Sequence, residues 1–124
     1  MATRMEQVFA TFPLLLERRN QITGTMSGGE QAMVSIGRGL MGAPKLMILD
    51  EPSLGLSPLL VKENFNIIRR INEQGITVFL VEQNVRQTLA ISDYGYVLSK
   101  GRVVAHGAPE DLSATDEVHE AYFG

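Results

Sequence analysis

Two short apolar runs on either side of a helical pattern constrain this chain's fold most. Leu46–Leu49 stops at Asp50 and Glu51, and Ile76–Val81 stops at a second polar stretch. Between them, Pro58 suits a helix start and apolar residues recur at helical spacing. Continuous apolar strands are typical of a parallel sheet that is buried on both faces. The segment therefore predicts a right-handed βαβ unit.

The rest of the chain predicts helices and one hairpin around this unit. The further expected elements are helices at 1–19 (bent or broken near Pro13), 31–41, 85–91, 109–112 and 116–122, and a β-hairpin formed by 96–98 and 103–105. The expected fold class is therefore α/β, with a parallel βαβ core, a helical lead-in, and a C-terminal β-hairpin followed by short helices.

Composition excludes several classes of function. The absence of cysteine excludes a disulfide framework, a thiolate metal site and a cysteine nucleophile. Only two histidines, His106 and His119, argue against a histidine-built zinc site. The net charge of −3 argues against nucleic-acid binding through bulk positive charge. No apolar run reaches the ~18 residues that span a bilayer, and Val8–Leu16 lacks a cleavage site, so the expected compartment is the cytoplasm.

The segment that opens the second helix, Ser27 to Gln31, has two interpretations. In a capping box, Ser27 caps the helix and Glu30 reaches back to the Ser27 amide. That leaves Gly28 and Gly29 unexplained, since each costs up to ~1 kcal/mol relative to alanine in a helix. Bare amides at the positive end of a helix instead allow an anion such as phosphate to approach closely. The residues alone leave both interpretations open.

The acidic residues after the first strand also have two interpretations. An aspartate there can hold Mg²⁺, usually through water, and a glutamate can accept a proton from an attacking water. Asp50 and Glu51 can equally mark the point where a strand meets solvent. Gln83, after the second strand, donates and accepts hydrogen bonds but does not titrate. Because parallel strands end at one edge, we expect Asp50, Glu51 and Gln83 along the edge where α/β sheets bind ligands.

In this order and spacing, the motifs resemble the C-terminal half of an ATP-binding-cassette (ABC) ATPase. Met26–Gln31 resembles the ABC signature, Leu46–Asp50 resembles the Walker B strand, and Leu54–Ser57 resembles the D-loop. The chain is most similar to the ATPase subunits of branched-chain amino-acid importers in the stretches 24–31, 50–56, 81–84, 94–98 and 120–124. The resemblance covers essentially the whole chain.

This resemblance implies a partial P-loop NTPase (ABC ATPase) fold. Residues 1–42 would be the C-terminal part of the helical subdomain, and 43–124 the C-terminal half of the nucleotide-binding core. Glu51 is implied to be the catalytic glutamate, Gln83 to contact the γ-phosphate at the switch position, and Asp50 to hold Mg²⁺. The residues implied to contact ATP held by an opposing subunit are Ser27, Gly28, Gly29, Glu30 and Gln31.

Four positions depart from the general ABC pattern, and two of them, Ala32 and Gly39, stand where such sequences more often have a larger residue and an alanine. ABC ATPases in general have histidine where this chain has Gln83, although the branched-chain group often has glutamine there. Ser57 replaces the usual last aspartate of the D-loop, which leaves the contact across the dimer open.

The phosphate-binding sequence Gly-x-x-x-x-Gly-Lys-[Ser/Thr] does not occur in these 124 residues. That loop supplies the lysine and amides that cradle the β- and γ-phosphates. We therefore expect ATP and Mg²⁺ to bind only with the missing N-terminal half or a partner, and the isolated chain to be inactive. Because the sheet lacks the strands of the N-terminal half, Leu46–Leu49 and Ile76–Val81 are expected to have exposed apolar faces. Such exposure favours self-association, swapping or marginal stability.

The implied function is that of an ATP-hydrolysing subunit of an ABC importer that energises branched-chain amino-acid uptake. Expected partners are a second ABC ATPase subunit and membrane permease subunits, at the inner face of the plasma membrane, with no nucleic acid and no membrane insertion. The alternatives are a non-catalytic half-cassette interaction module, an inactive truncated product, and a DNA-repair or chromosome-organising ABC ATPase. The short lead-in before the signature and the net charge of −3 disfavour the last.

Overall fold

The computed structural model describes residues 3–122, apart from the side chains of Glu117, Ala121 and Tyr122. The expected helix start before residue 3 and the resemblance at 123–124 lie outside the described residues. In chain order the elements are α1 (Arg4–Thr11), α2 (Pro13–Glu17), a 3-10 turn (Thr23–Thr25), α3 (Gly28–Met41), β1 (Leu46–Asp50), α4 (Pro58–Glu73), β2 (Thr77–Val81), α5 (Val85–Ile91), β3 (Gly95–Ser99), β4 (Arg102–Gly107), α6 (Pro109–Ser113) and α7 (Asp116–Tyr122).

The α/β fold class is confirmed, and the chain divides into two compact units, Met1–Val81 and Glu82–Gly124. This division by contacts does not test the expected subdomain boundary between residues 42 and 43, which stays a prediction. No helix in residues 3–122 is long and apolar enough to cross a membrane.

The predicted break near Pro13 separates α1 from α2. Thr3 caps α1, since its hydroxyl accepts from the Glu6 amide and the Glu6 carboxylate accepts from the Thr3 amide. The helix ends at Thr11, and the amide of its C-cap residue Phe12 donates to the Val8 carbonyl at 2.8 Å. Pro13 then begins α2, a position where its missing amide is not needed. The bend leaves the Phe12 side chain buried against the core.

The core of the first unit packs α1, α2, α3 and α4 with one face of a parallel sheet. β1 and β2 pair in parallel, with Leu46 opposite Thr77 and Asp50 opposite Val81, and α4 connects them. The predicted parallel βαβ unit is therefore confirmed, and the right hand of its crossover stays a prediction. The buried residues of this core are Val8, Phe12, Leu15, Ile36, Met47, Ile67 and Ile71.

The other face of the β1–β2 sheet is exposed. Met47, on the inner face, is 7% exposed, whereas Ile48 and Phe79 on the outer face are 66% and 56% exposed. Ile48 and Phe79 lie opposite each other in the register, so they form one apolar patch. The expectation of strands buried on both faces is wrong for the described residues, because helices cover the inner face alone. The expectation of an exposed apolar face is confirmed.

The second unit consists of the predicted hairpin and short helices. β3 and β4 pair antiparallel, with Tyr96 opposite His106 and a register shift between Val97 and Leu98. Val97 is buried in a small cluster whose other buried members are Leu112 and Val118. The predicted helices at 85–91, 109–112 and 116–122 are confirmed, with α6 one residue longer than expected.

We expect the chain to self-associate through the outer face of the β1–β2 sheet. Ile48→Thr removes apolar area from that face without disturbing the core, so it should shift the sedimentation coefficient distribution toward monomer. Leu59→Thr is the matched control, because Leu59 is 76% exposed on α4 and should leave association unchanged. Sedimentation velocity at several concentrations measures both. A wild-type monomer at every concentration, with cooperative unfolding, would contradict this expectation.

Candidate functional site

The capping box predicted at the start of α3 is confirmed. The Glu30 amide donates to Ser27 Oγ at 3.3 Å, and the Ser27 amide donates to Glu30 Oε2 at 3.2 Å. Glu30 Oε2 also pairs with Arg18 Nη1 at 3.1 Å. Gln31 Nε2 donates to the Met26 carbonyl at 3.1 Å. Glu30 and Gln31 therefore hold the start of the helix in shape.

The two glycines that follow Ser27 have different surroundings. A Cβ at Gly29 would lie 2.6 Å from Leu60 Cδ1, whereas a Cβ at Gly28 would meet no atom within 4 Å. Gly29 is buried, so packing against Leu60 explains why glycine occurs at this position. The sequence pattern did not indicate this contact. Gly28 is exposed in the first turn, where bare amides suit an anion.

Asp50 and Glu51 lie at the carboxyl end of β1. Asp50 is exposed and ends the strand opposite Val81. The Glu51 amide donates to the Val81 carbonyl at 2.7 Å, and the Leu54 amide donates to the Glu51 carbonyl at 3.1 Å. Glu51 has a φ of 46°, in the left-handed region that residues with a side chain rarely adopt. The turn that carries the glutamate is therefore held in a strained conformation, a feature that clusters at functional sites.

Asn64 on α4 contacts this turn, and the sequence analysis did not single it out. Its Nδ2 donates to the Pro52 carbonyl at 2.9 Å, and the residue is 6% exposed. The available signal was a polar residue on the apolar stripe formed by Val61, Phe65 and Ile68.

The segment between Pro52 and α4 has its own local requirements. Gly55 has a φ of 77°, which favours glycine. Ser57 caps α4, since its Oγ accepts from the Leu60 amide at 3.4 Å. Serine and aspartate both serve as N-caps, so the departure at Ser57 retains this capping function.

Gln83 belongs to the second unit, where it is exposed and its carbonyl accepts from the Val85 amide at 3.0 Å. Its expected place along one edge with Asp50 and Glu51 stays a prediction. Within residues 3–122, no group of three or more His, Cys, Asp or Glu side chains could hold a metal ion. The Asp50 carboxylate is a suitable Mg²⁺ ligand, but such an ion would take its remaining ligands from water or phosphate oxygens.

Comparison with known proteins supports the resemblance seen in the motifs. A family model described as ABC transporter matches residues 1–54. The chain is 50% identical over 121 residues to the high-affinity branched-chain amino acid transport ATP-binding protein BraG of Pseudomonas aeruginosa, over 98% of this chain and 52% of BraG. It is 36% identical over 106 residues to the lipopolysaccharide export system ATP-binding protein LptB of Escherichia coli, over 86% of this chain and 44% of LptB.

Solved structures share the fold. The chain matches MJ1267, an ATP-binding cassette of an ABC transporter, with a TM-score of 0.84 and 29% identity, over 98% of this chain and 49% of that one. It matches cbiO1 from Clostridium perfringens, part of the ABC transporter complex cbiONQ, with a TM-score of 0.82 and 27% identity. The match covers 94% of this chain and 47% of cbiO1. The chain therefore has a partial ABC ATPase fold and is similar in sequence to ABC transporter ATP-binding proteins. It spans about half the length of the curated relatives it matches.

We expect Gly28→Ala and Gly29→Ala to change stability in different directions. Alanine at 28 enters open space and gains up to ~1 kcal/mol of helix propensity. Alanine at 29 displaces the Leu60 side chain, and overpacking of this kind costs about 1–3 kcal/mol. Urea unfolding midpoints measure the difference.

The control is the same pair of substitutions in a Leu60→Ala background. There the close contact is absent, so the two alanine variants should have nearly equal midpoints. Equal midpoints already in the wild-type background would show that Gly29 has no packing role.

Proposed function

We propose that the chain is part of the ATP-binding subunit of an ABC importer and serves to energise branched-chain amino-acid uptake. The observation that carries this proposal is 50% identity to BraG over 98% of the chain. Identity to the export protein LptB is lower, at 36% over 86% of the chain. Import is therefore favoured over export.

The end of β1 supports a role in ATP hydrolysis. Asp50 ends the parallel strand β1 and Glu51 follows it, at the edge where α/β sheets bind ligands. Asp50 is exposed and would hold Mg²⁺ directly or through water. The ion, when bound, neutralises negative charge on the phosphates. Glu51 is proposed to orient the attacking water and accept its proton.

The start of α3 supports a role in binding the phosphates of a nucleotide on an opposing subunit. Gly28 is an exposed residue in the first turn, where the helix dipole favours negative charge. The Ser27 hydroxyl and the Gly29 amide lie in the same turn. Glu30 and Gln31 are proposed to act here by holding the turn in shape, as their hydrogen bonds within the chain indicate.

Gln83 is proposed to hydrogen-bond the γ-phosphate. Its carboxamide donates without titrating, so this contact would persist across the physiological pH range. A histidine at the same position would instead change charge near neutral pH.

These roles require groups that the 124 residues do not contain. The Gly-x-x-x-x-Gly-Lys-[Ser/Thr] loop does not occur in the sequence, so ATP and Mg²⁺ are proposed to bind only when the remaining half of a cassette completes the site. The proposed partners are a second ABC ATPase subunit and membrane permease subunits, at the cytoplasmic face of the membrane. A second candidate is a non-catalytic module that donates the start of α3, where Gly28 is exposed, to an intact cassette.

A chimera in which this chain replaces the half of BraG that it matches tests the proposal. We expect the chimera to hydrolyse ATP, and Glu51→Gln to lower kcat by about 10²–10⁴-fold, because the variant cannot accept the proton from water. Glu63→Gln is the matched control, since Glu63 is an exposed carboxylate on α4 and should leave kcat unchanged. Steady-state phosphate release measures both.

The same chimera separates the alternatives in cells. Restored branched-chain amino-acid uptake in a strain lacking BraG is the expected result. A chimera that instead supports lipopolysaccharide export in place of LptB, with no uptake, would contradict the importer proposal. A folded chimera with no ATPase activity would favour the non-catalytic module.

A further inference from the structure

Asn64 combines deep burial with incomplete hydrogen bonding. The residue is 6% exposed, and its Nδ2 donates to the Pro52 carbonyl at 2.9 Å. Its Oδ1 has no hydrogen-bond partner among the described residues. A carbonyl only accepts hydrogen bonds, so the NH₂ group of the carboxamide must face Pro52 and its oxygen must face the interior. The orientation of the Asn64 carboxamide is therefore fixed by its hydrogen bond to the Pro52 carbonyl.

The surroundings of Asn64 do not supply the missing partner. A cavity of about 10 Å³ lies beside it, with Gly29, Leu56 and Leu60 among the residues that line it. Among the described residues that line it, Asn64 alone has a polar side chain. A buried water needs two to four polar partners, so a water here would be poorly held. Burying Oδ1 therefore carries a cost that an apolar side chain would avoid.

The other end of the contact is the strained turn. Pro52 follows Glu51, whose φ of 46° is unfavourable for a residue with a side chain. Two backbone hydrogen bonds pin Glu51 itself, one from its amide to Val81 and one to its carbonyl from Leu54. The bond from Asn64 joins the same turn to α4. Strained conformations persist only where the surrounding structure over-determines them, and Asn64 supplies such a constraint.

We propose that Asn64 is a positioning residue that clamps the Glu51–Pro52 turn to α4 and so keeps Glu51 in its left-handed conformation. The bearing of this clamp on catalysis rests on the proposed function, in which Glu51 accepts a proton from water. Because Asn64 lies on α4, a movement of that helix is passed to Glu51 through the Pro52 carbonyl. The unfavourable free energy of burying Oδ1 is then explained by the link that Asn64 makes between α4 and Glu51.

Amide hydrogen exchange of the full chain, without nucleotide, tests the clamp. Asn64→Leu places an apolar side chain in the core and removes the donor, and we expect exchange at the Glu51 and Leu54 amides to accelerate roughly tenfold. Asn72→Leu is the matched control, because Asn72 is also on α4 and its Nδ2 donates to the Ile76 carbonyl at 3.0 Å. It should leave the Glu51 and Leu54 amides unchanged.

The same substitution in a Glu51→Gly background distinguishes a clamp on the Glu51 conformation from a contact that only stabilises the fold. Glycine adopts a positive φ without strain, so Glu51→Gly retains the conformation and removes the strain that the clamp opposes. In this background, Asn64→Leu should change Leu54 exchange by less than about twofold. A tenfold change in both backgrounds would overturn the proposal, as would unchanged Glu51 exchange in Asn64→Leu alone. Should Asn64→Leu fail to fold, Asn64→Ala gives the same comparison by removing atoms only. No outcome depends on ATP, so a failed clamp is distinguishable from a failed hydrolase.

Discussion

The parallel pairing of β1 with β2 is the interaction on which the proposed hydrolytic residues depend. Parallel neighbours require a crossover, which α4 supplies by packing Ile67 and Ile71 into the core. The register places Asp50 opposite Val81, so both strands end at one edge. The Val81 carbonyl can then accept from the Glu51 amide and hold the glutamate in its strained turn. Without this pairing, neither carboxylate has a defined position.

The same sheet also explains why the chain's stability and its function are linked. Among the described residues, helices cover its inner face alone, and the outer patch formed by Ile48 and Phe79 is exposed. Burying apolar surface stabilises by about 25 cal/mol per Å², so any second layer over this patch would be favourable. A second copy of this chain would provide such a layer, as would the remaining half of a cassette in the proposed function. Only the latter would also bring the phosphate-binding loop to Asp50.

Local patterns predicted most of the elements, because local forces determine them. The break at Pro13 follows from a missing amide, and the capping box follows from Ser27 and Glu30 at the right spacing. The uncovered face of β1 could not be predicted, since an apolar run of four residues has the same pattern under one layer or two. The φ of Glu51 and the bond from Asn64 to Pro52 arise only from tertiary packing. The sequence nevertheless contains one signal for Asn64, because it is a polar residue on an apolar helical stripe.

Calorimetric titration of the purified 124-residue chain with Mg·ATP tests most directly whether these residues form only part of a nucleotide site. Its solution mass should be determined on the same sample. We predict no heat of binding, because Asp50 and Glu51 have no phosphate-binding loop beside them in this sequence. Micromolar binding that is lost in Asp50→Asn would contradict the account, since the chain would then build a phosphate cradle from other residues.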